Sequence, residues 1–542
     1  MRGLMSTKFL VLILCMAGLV RAQVTYERIL KAESEPQNWL TYSGSYKSWR
    51  YSRLEQINRQ NVQNLKLAWV YQMPITHRFE TTPIVVDGVM YLSEPPSNVV
   101  ALDAATGRQF WRYRRSLPTK INVCCGQVNR GVAVLGDRVF IGTVDAHLVA
   151  LHAKTGAVLW DVEVADNRTG HAITSAPLVV KDMVITGIAG GEYGIRGFID
   201  AYDAATGKRR WRFWTIPAPG EPGSETWSGD AWKHGGGPTW VTGSYDVDQN
   251  LIIWGAGNPS PDWNGDVRKG DNLYSDSALA LDADTGKLKW HFQMVPHDVH
   301  DWDSVQVPVL VDTEWQGKPR KLIYWAHRSG FYYVLDRQSG EFLLGKPFAT
   351  QTWAKGLDEK GRPIRNPGID PTEEGVYVWP GVQGATNWYS PSYNPLTGLF
   401  YLTAWENKGF YRKGEVEYVA GNRYIGSAPK IDLDDEPGFG AIRALDPKTG
   451  DRAWEYKLHN KPWAGVLSTA GKLVFGGSGG WFNRDRQEAE GYFFALDAET
   501  GRELWRINLG GDMSSSAITY SVNGKQMVTM PAGSGLFAFE LP

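Results

Sequence analysis

Cysteine is almost missing from this chain, with 3 in 542 residues. No Cys-x-x-Cys-His stretch occurs, which excludes a covalently attached haem and leaves no built-in cytochrome. No apolar run approaches the roughly 20 residues of a bilayer-crossing helix, and no early series of such runs points to a membrane-embedded protein. Neither sign of charge is in excess. The 57 basic and 58 acidic residues leave a net charge of −1, which argues against a nucleic-acid surface.

The apolar run near the start, FLVLILCMAGLV, follows Arg2 and Lys8 and precedes Val20-Arg21-Ala22. A basic start, an apolar middle and a small-residue end read as a secretory signal over residues 1–22. Cys15 lies inside that run, and Leu14 before it disfavours a lipoprotein site. Residues 23–542 then read as a single domain. Its two cysteines, Cys124 and Cys125, would meet an oxidising compartment after export.

Glycine (60), tryptophan (24), tyrosine (24) and proline (29) are plentiful, a composition of many short strands and tight turns, and so of an all-β protein. One segment recurs: ALDAATGRQFW (101–111), ALHAKTGAVLW (150–160), AYDAATGKRRW (201–211), ALDADTGKLKW (280–290), VLDRQSGEFLL (334–344), ALDPKTGDRAW (444–454) and ALDAETGRELW (495–505). Each reads as a strand, a turn whose glycine takes positive φ, and a second strand carrying Trp. The turn glycines, from Gly107 to Gly501, are spaced by 49, 51, 79, 54, 110 and 51 residues.

A unit of roughly 50 residues suits the four strands of a propeller blade. The interval of 110 residues predicts a hidden unit near YNPLTGLFYLTAW (393–405). Seven visible units and one hidden unit predict an eight-bladed β-propeller with tryptophan-docking repeats. Pairing of 56–72 with 535–542 would close the ring and remove its open edges. The long interval before Gly286 and the stretch 406–440 would be loop insertions.

NVCCGQVNRG (122–131) places the two cysteines side by side. Neighbouring Cα atoms lie about 3.8 Å apart, below the usual disulfide range of about 4.4 to 6.8 Å. A bond between them would close a strained eight-membered ring and staple no loop. Two reduced, buried thiols are the other reading. Strain without structural benefit marks a functional surface.

CCGQVNRG, TSAPLVV with GGEYGIRG, GGPTW, GAGNPSPDWN and HDVHDWDS occur in this order, and together they resemble the secreted quinoprotein alcohol dehydrogenases that use pyrroloquinoline quinone (PQQ). The likeness runs over essentially all of 23–542. It implies a disulfide between Cys124 and Cys125 on one face of the quinone and Trp240 on the other. It implies that Arg130 pairs with a cofactor carboxylate and that Arg328 lies near the quinone oxygens. Glu80, Thr174, Ala189, Gly190, Gly191 and Asn387 match polar or backbone contacts, and Trp463 matches a residue of the pocket floor.

Glu192, Asn258 and Asp301 match the family's metal ligands, all offering oxygen as a hard cation requires. Read alone, HDVHDWDS also fits a histidine-rich transition-metal site, but no thiolate accompanies it; His297 and His300 are taken as structural. Asp303 resembles the branch that uses lanthanides. Glu192, Asp301 and Asp303 would offer three negative charges to a trivalent ion, with Ca2+ the alternative.

The resemblance implies that an alcohol loses its hydroxyl proton to Asp301 and hydride to C5 of PQQ. Electrons would pass to a soluble cytochrome c in the periplasm. The alternatives are a calcium enzyme acting on other alcohols, polyols or aldehydes, and a non-catalytic propeller scaffold of the cell envelope. Assembly, a homodimer included, stays open. Two places depart from the family. WFNRDRQEAEGYF (481–493) is a charged insertion, and Pro238 replaces a hydroxyl residue that Thr239 would have to make good.

Overall fold

The computed structural model describes residues 24–74, 78–427, 438–458, 460–479 and 491–542. The expected signal at 1–22 and most of the charged insertion at 481–493 lie outside them. Eight antiparallel sheets of four principal strands follow one another along the chain, at 84–113, 133–163, 178–214, 244–293, 309–347, 392–458 and 467–508, with the eighth at 518–540 completed by Lys66–Gln72. These are blades 1 to 8. Blade 7 gains a short parallel strand, Tyr51–Ser52.

Each blade is graded from axis to rim, and its sequence follows. In blade 1 the third strand, Asn98–Asp103, is buried on both faces until its last residue, while the outermost, Gln109–Tyr113, is partly to fully exposed. Strands covered on both faces need continuous apolar runs such as NVVAL, whereas rim strands tolerate charge.

The recurring Trp and Gly are two halves of one joint. Gly156, Gly207, Gly286 and Gly501 all have φ near +70°. A Cβ added there would lie 2.5 Å from Trp111, 2.9 Å from Trp160, 2.5 Å from Trp211 and 2.5 Å from Trp454 respectively, each indole reaching in from the preceding blade. The same indoles donate Nε1–H to carbonyls of the next blade: Trp111 to Ala153 at 2.9 Å, Trp211 to Ala283 at 3.0 Å, Trp454 to Ala498 at 3.1 Å. An indole on a bare glycine buries a large apolar face and satisfies its polar edge in one contact. Blade 5 carries Leu344 where the others carry Trp, and Gly450 accordingly meets the Lys346 side chain instead of an indole.

The ring closes as expected: Lys66–Gln72 pairs antiparallel with Gly535–Glu540. The assignment of the eighth unit needs correction. YNPLTGLFYLTAW forms the first two strands of blade 6, whose own repeat turn holds Gly450. The interval of 110 residues is stretched by the connection 348–391, which adds one small ribbon of its own, and by the insertion after Glu406, which pairs with that connection in a second. The true eighth blade lacks the repeat because its third and fourth strands come from opposite ends of the chain and share no turn.

Antiparallel alternation sorts the loops. Connections from second to third strand, and from fourth strand to the next blade, all emerge on one face. The Thr-Gly turns occupy the other. Every long insertion, 215–243, 256–276, 348–391 and the stretch after Glu406, lies on the first face.

Candidate active site

A cavity of about 390 Å³ opens among these connections. Fourteen of the sixteen residues predicted for the site line it: Glu80, Cys124, Cys125, Arg130, Thr174, Ala189, Gly190, Glu192, Trp240, Asp301, Asp303, Arg328, Asn387 and Trp463. They come from connections of seven blades, so the complete ring is what brings them together. Gly191 and Asn258 do not line it. The Gly191 carbonyl accepts from Ser260 Oγ at 2.5 Å, and the Asn258 side chain is 3% exposed behind the wall.

The two sulfurs of Cys124 and Cys125 face each other at 2.7 Å. Cys125 takes φ +65°, a left-handed backbone that holds the pair at the cavity edge. The facing Cys125 sulfur and burial push the Cys124 thiol well above its ordinary pKa. Among the described residues, Cys124, Cys125 and Glu192 form a group whose ligand atoms lie within 4.8 Å of one another.

Opposite charges meet at two places. Arg130 reaches Glu80 at 2.8 Å and packs over Trp240 and Trp388, 4.9 and 4.4 Å from their ring centroids. Its backbone is pinned between Thr82 and Thr174. Arg78, which the sequence reading missed, adds a second cation beside Glu80 at 3.6 Å and binds the Cys125 carbonyl.

At the other place Arg328 pairs with Asp303 and lies 3.7 Å from Asp301. Both carboxylates converge on one guanidinium. Asp301 adopts φ +60°, a bend that turns its side chain toward Arg328. Asp298 organises that bend by accepting from the backbone of His300 at 2.9 Å and Trp302 at 2.8 Å. His300 stacks on Trp302 and bonds the Ile369 carbonyl at 2.8 Å, while His297 bonds the Gly270 carbonyl at 2.9 Å. Their structural role follows from these contacts.

A further carboxylate, Asp262, was not anticipated. Its signal is its position four residues after Asn258 in GAGNPSPDWN. It lines the cavity and accepts from Asn258 Nδ2 at 3.0 Å. Burial raises the pKa of Glu192, Asp262, Asp301 and Asp303 alike, and repulsion from neighbouring carboxylates adds to it for the first three. A group of acids held this way calls for a cation.

Pro238 removes a donor, and Thr239 does not replace it. Its hydroxyl donates to the Phe198 carbonyl at 2.6 Å and accepts from Ile188 N at 2.8 Å, away from the cavity. The insertion after Glu406 instead supplies part of the roof. Tyr424 N donates to the Glu192 carbonyl at 2.7 Å, Ile425 O accepts from Trp263 N at 3.0 Å, and Arg423 and Ile425 line the cavity.

The donor set fits a planar polyanion beside a hard cation. Arg130 Nε and Arg328 Nε are buried without a hydrogen-bond partner among the described residues, and aromatic surface from Trp240, Trp388 and Trp463 surrounds them. Glu192, Asp262, Asp301 and Asp303 add carboxylate oxygens to the same cavity.

Residues 39–347 and 406–528 match the family described as PQQ: glucose/ethanol/alcohol dehydrogenase, beta-propeller domain. The quinoprotein alcohol dehydrogenase PedH of Pseudomonas putida is 39% identical over 98% of this chain and 92% of its own. The quinohemoprotein alcohol dehydrogenase of Comamonas testosteroni is 40% identical over 92% of this chain and 73% of its own. The crystal structure of the quinohemoprotein alcohol dehydrogenase from that organism superposes with a TM-score of 0.90 at 36% identity, covering 96% of this chain and 82% of that one. A europium-containing methanol dehydrogenase superposes at 0.86 and 33% identity, covering 95% and 100%. The chain is an eight-bladed enzyme that belongs to the PQQ-dependent quinoprotein alcohol dehydrogenases.

Proposed function

We propose that this protein is an exported, periplasmic dehydrogenase that oxidises small alcohols to aldehydes, with Asp301 as general base and a lanthanide ion beside the cofactor. The observation that carries the reading is the convergence of Asp301 and Asp303 on Arg328 inside the cavity that also holds the cysteine pair and Trp240.

Arg130, Arg328 and Asn387 would hold the cofactor's carboxylates and oxygens, with its ring between Trp240 and an oxidised Cys124–Cys125 pair. Glu80, Thr174, Ala189 and Gly190 would line its rim, and Trp463 its floor. Glu192, Asn258, Asp301 and Asp303 would hold the cation. When bound, PQQ supplies a hydride acceptor and the cation a Lewis acid. Asp301 is oriented by its bend and by Arg328, and takes the hydroxyl proton at its carboxylate. Burial raises its proton affinity, while Arg328 and the cation lower it, so both set its strength as a base. Trp263, Trp388 and Ile425 line the same cavity and limit the water it admits.

Asp303 supports the trivalent choice over Ca2+ because it adds a further negative charge to those of Glu192 and Asp301. The soluble acceptor would be a cytochrome c. Reconstituting the apoprotein with PQQ and either Ca2+ or La3+, then following dye reduction with short primary alcohols, tests the reading. Turnover is expected with La3+; full turnover with Ca2+ alone would overturn the metal assignment.

A further inference from the structure

Four carboxylates, Glu192, Asp262, Asp301 and Asp303, line one cavity, and Asp262 is held in an unusual way. Asp262 is 1% exposed. Its Oδ1 accepts from Asn258 Nδ2 at 3.0 Å, which turns that amide so that Asn258 Oδ1 lies against Gly191, next to Glu192. Its Oδ2 is fully buried, lacks any hydrogen-bond partner among the described residues, and belongs to a side chain lining the cavity. A buried anionic oxygen left bare costs several kcal/mol unless a cation meets it. Arg268 does not meet it. Its guanidinium is taken up by the carbonyls of Pro261 and Asp298 and by Asn272 Oδ1.

We propose that Asp262 is a fourth anionic member of the cation site and biases it toward a triply charged ion. Glu192, Asp262, Asp301 and Asp303 set against Arg328 leave three formal negative charges, the complement of a trivalent ion. Coulomb attraction scales with the charge of the ion, so removing one carboxylate weakens a trivalent ion half as much again as a divalent one at the same place. This rests on the metal reading above and assigns the corner a residue beyond the four already given.

The test compares the full-length, PQQ-containing wild type with Asp262→Asn, which keeps a hydrogen-bond acceptor for Asn258 but removes the charge. Asp262→Ser serves as a second, smaller replacement. Eu3+ affinity is read by luminescence against a competing chelator and Ca2+ affinity by calorimetry, with matched thermal melts as the folding control. Eu3+ binding is expected to weaken by about ten-fold or more in both variants, and Ca2+ binding by clearly less. Equal losses for both ions would mean that Asp262 acts only by positioning Asn258, and no loss would mean no part in the site; either result overturns the proposal. If the wild type binds neither ion, the metal reading fails first, and that outcome is distinguishable from the other two.

Discussion

Gly190→Ala concentrates the local physics of this site in one methyl group. Gly190 has φ +128°, a conformation that costs an alanine about 1–3 kcal/mol. The added Cβ would also lie 2.3 Å from the Gly170 carbonyl oxygen and 3.2 Å from Ile195 Cγ2. Real contacts of this kind do not fall below 3.0 Å, so the two strands of the wall must part by at least 0.7 Å. They are tied at the neighbouring Ala172 and Ala189 by hydrogen bonds of 2.8 and 3.2 Å, worth about 1 kcal/mol each if lost. With both bonds lost the expected total is about 3–5 kcal/mol of stability. Glu192 follows two residues later, so the cation corner moves with the wall, and a shift of about 1 Å is worth about 100-fold in turnover. Thermal melts and titration of the apoprotein with PQQ and La3+ check both parts. A variant with the wild-type melting temperature and wild-type La3+ affinity would refute the claim that this carbonyl contact fixes the wall.

Asp301→Asn is expected to retain PQQ, seen by its absorbance after desalting, while turnover falls by about 1000-fold; retained turnover would assign the base elsewhere. The buried His327, held by Ser304 and Ser329 hydroxyls at 2.8 Å each, is pushed down to about 3 by burial and then by Arg328. A histidine with a depressed folded pKa gives stability that is complete above the unfolded value of about 6.5 and is lost as pH falls from there. The margin of wild type over His327→Gln should therefore shrink by about 2–3 kcal/mol between pH 7 and pH 4.5 in denaturant titrations. A margin independent of pH would show that His327 takes up its proton as readily in the folded protein as in the unfolded chain, against the burial argument.

The repeat ALDAATGxxxW was enough to read the blades because its residues answer to local demands. The glycine needs positive φ and the indole needs a bare surface to rest on. The eighth blade was invisible by the same logic, since its strands from opposite chain ends need no such turn. Most of the cavity was legible through ordered motifs. Asp262, Arg78 and Arg423 were not, because a charged residue in a loop carries no periodic signal. Only the closed ring reveals which of them face inward. The convergence of Asp301 and Asp303 on Arg328 rests on the bend at Asp301, which depends on Asp298, a contact that no local sequence rule contains.

Lys66–Gln72 and Gly535–Glu540 zip the ring shut. Since the cavity takes its walls from around the whole ring, no partial chain can shelter a cofactor. The molecule must first clasp its own beginning to its end, and occupancy of the pocket then certifies that every residue has been threaded into place.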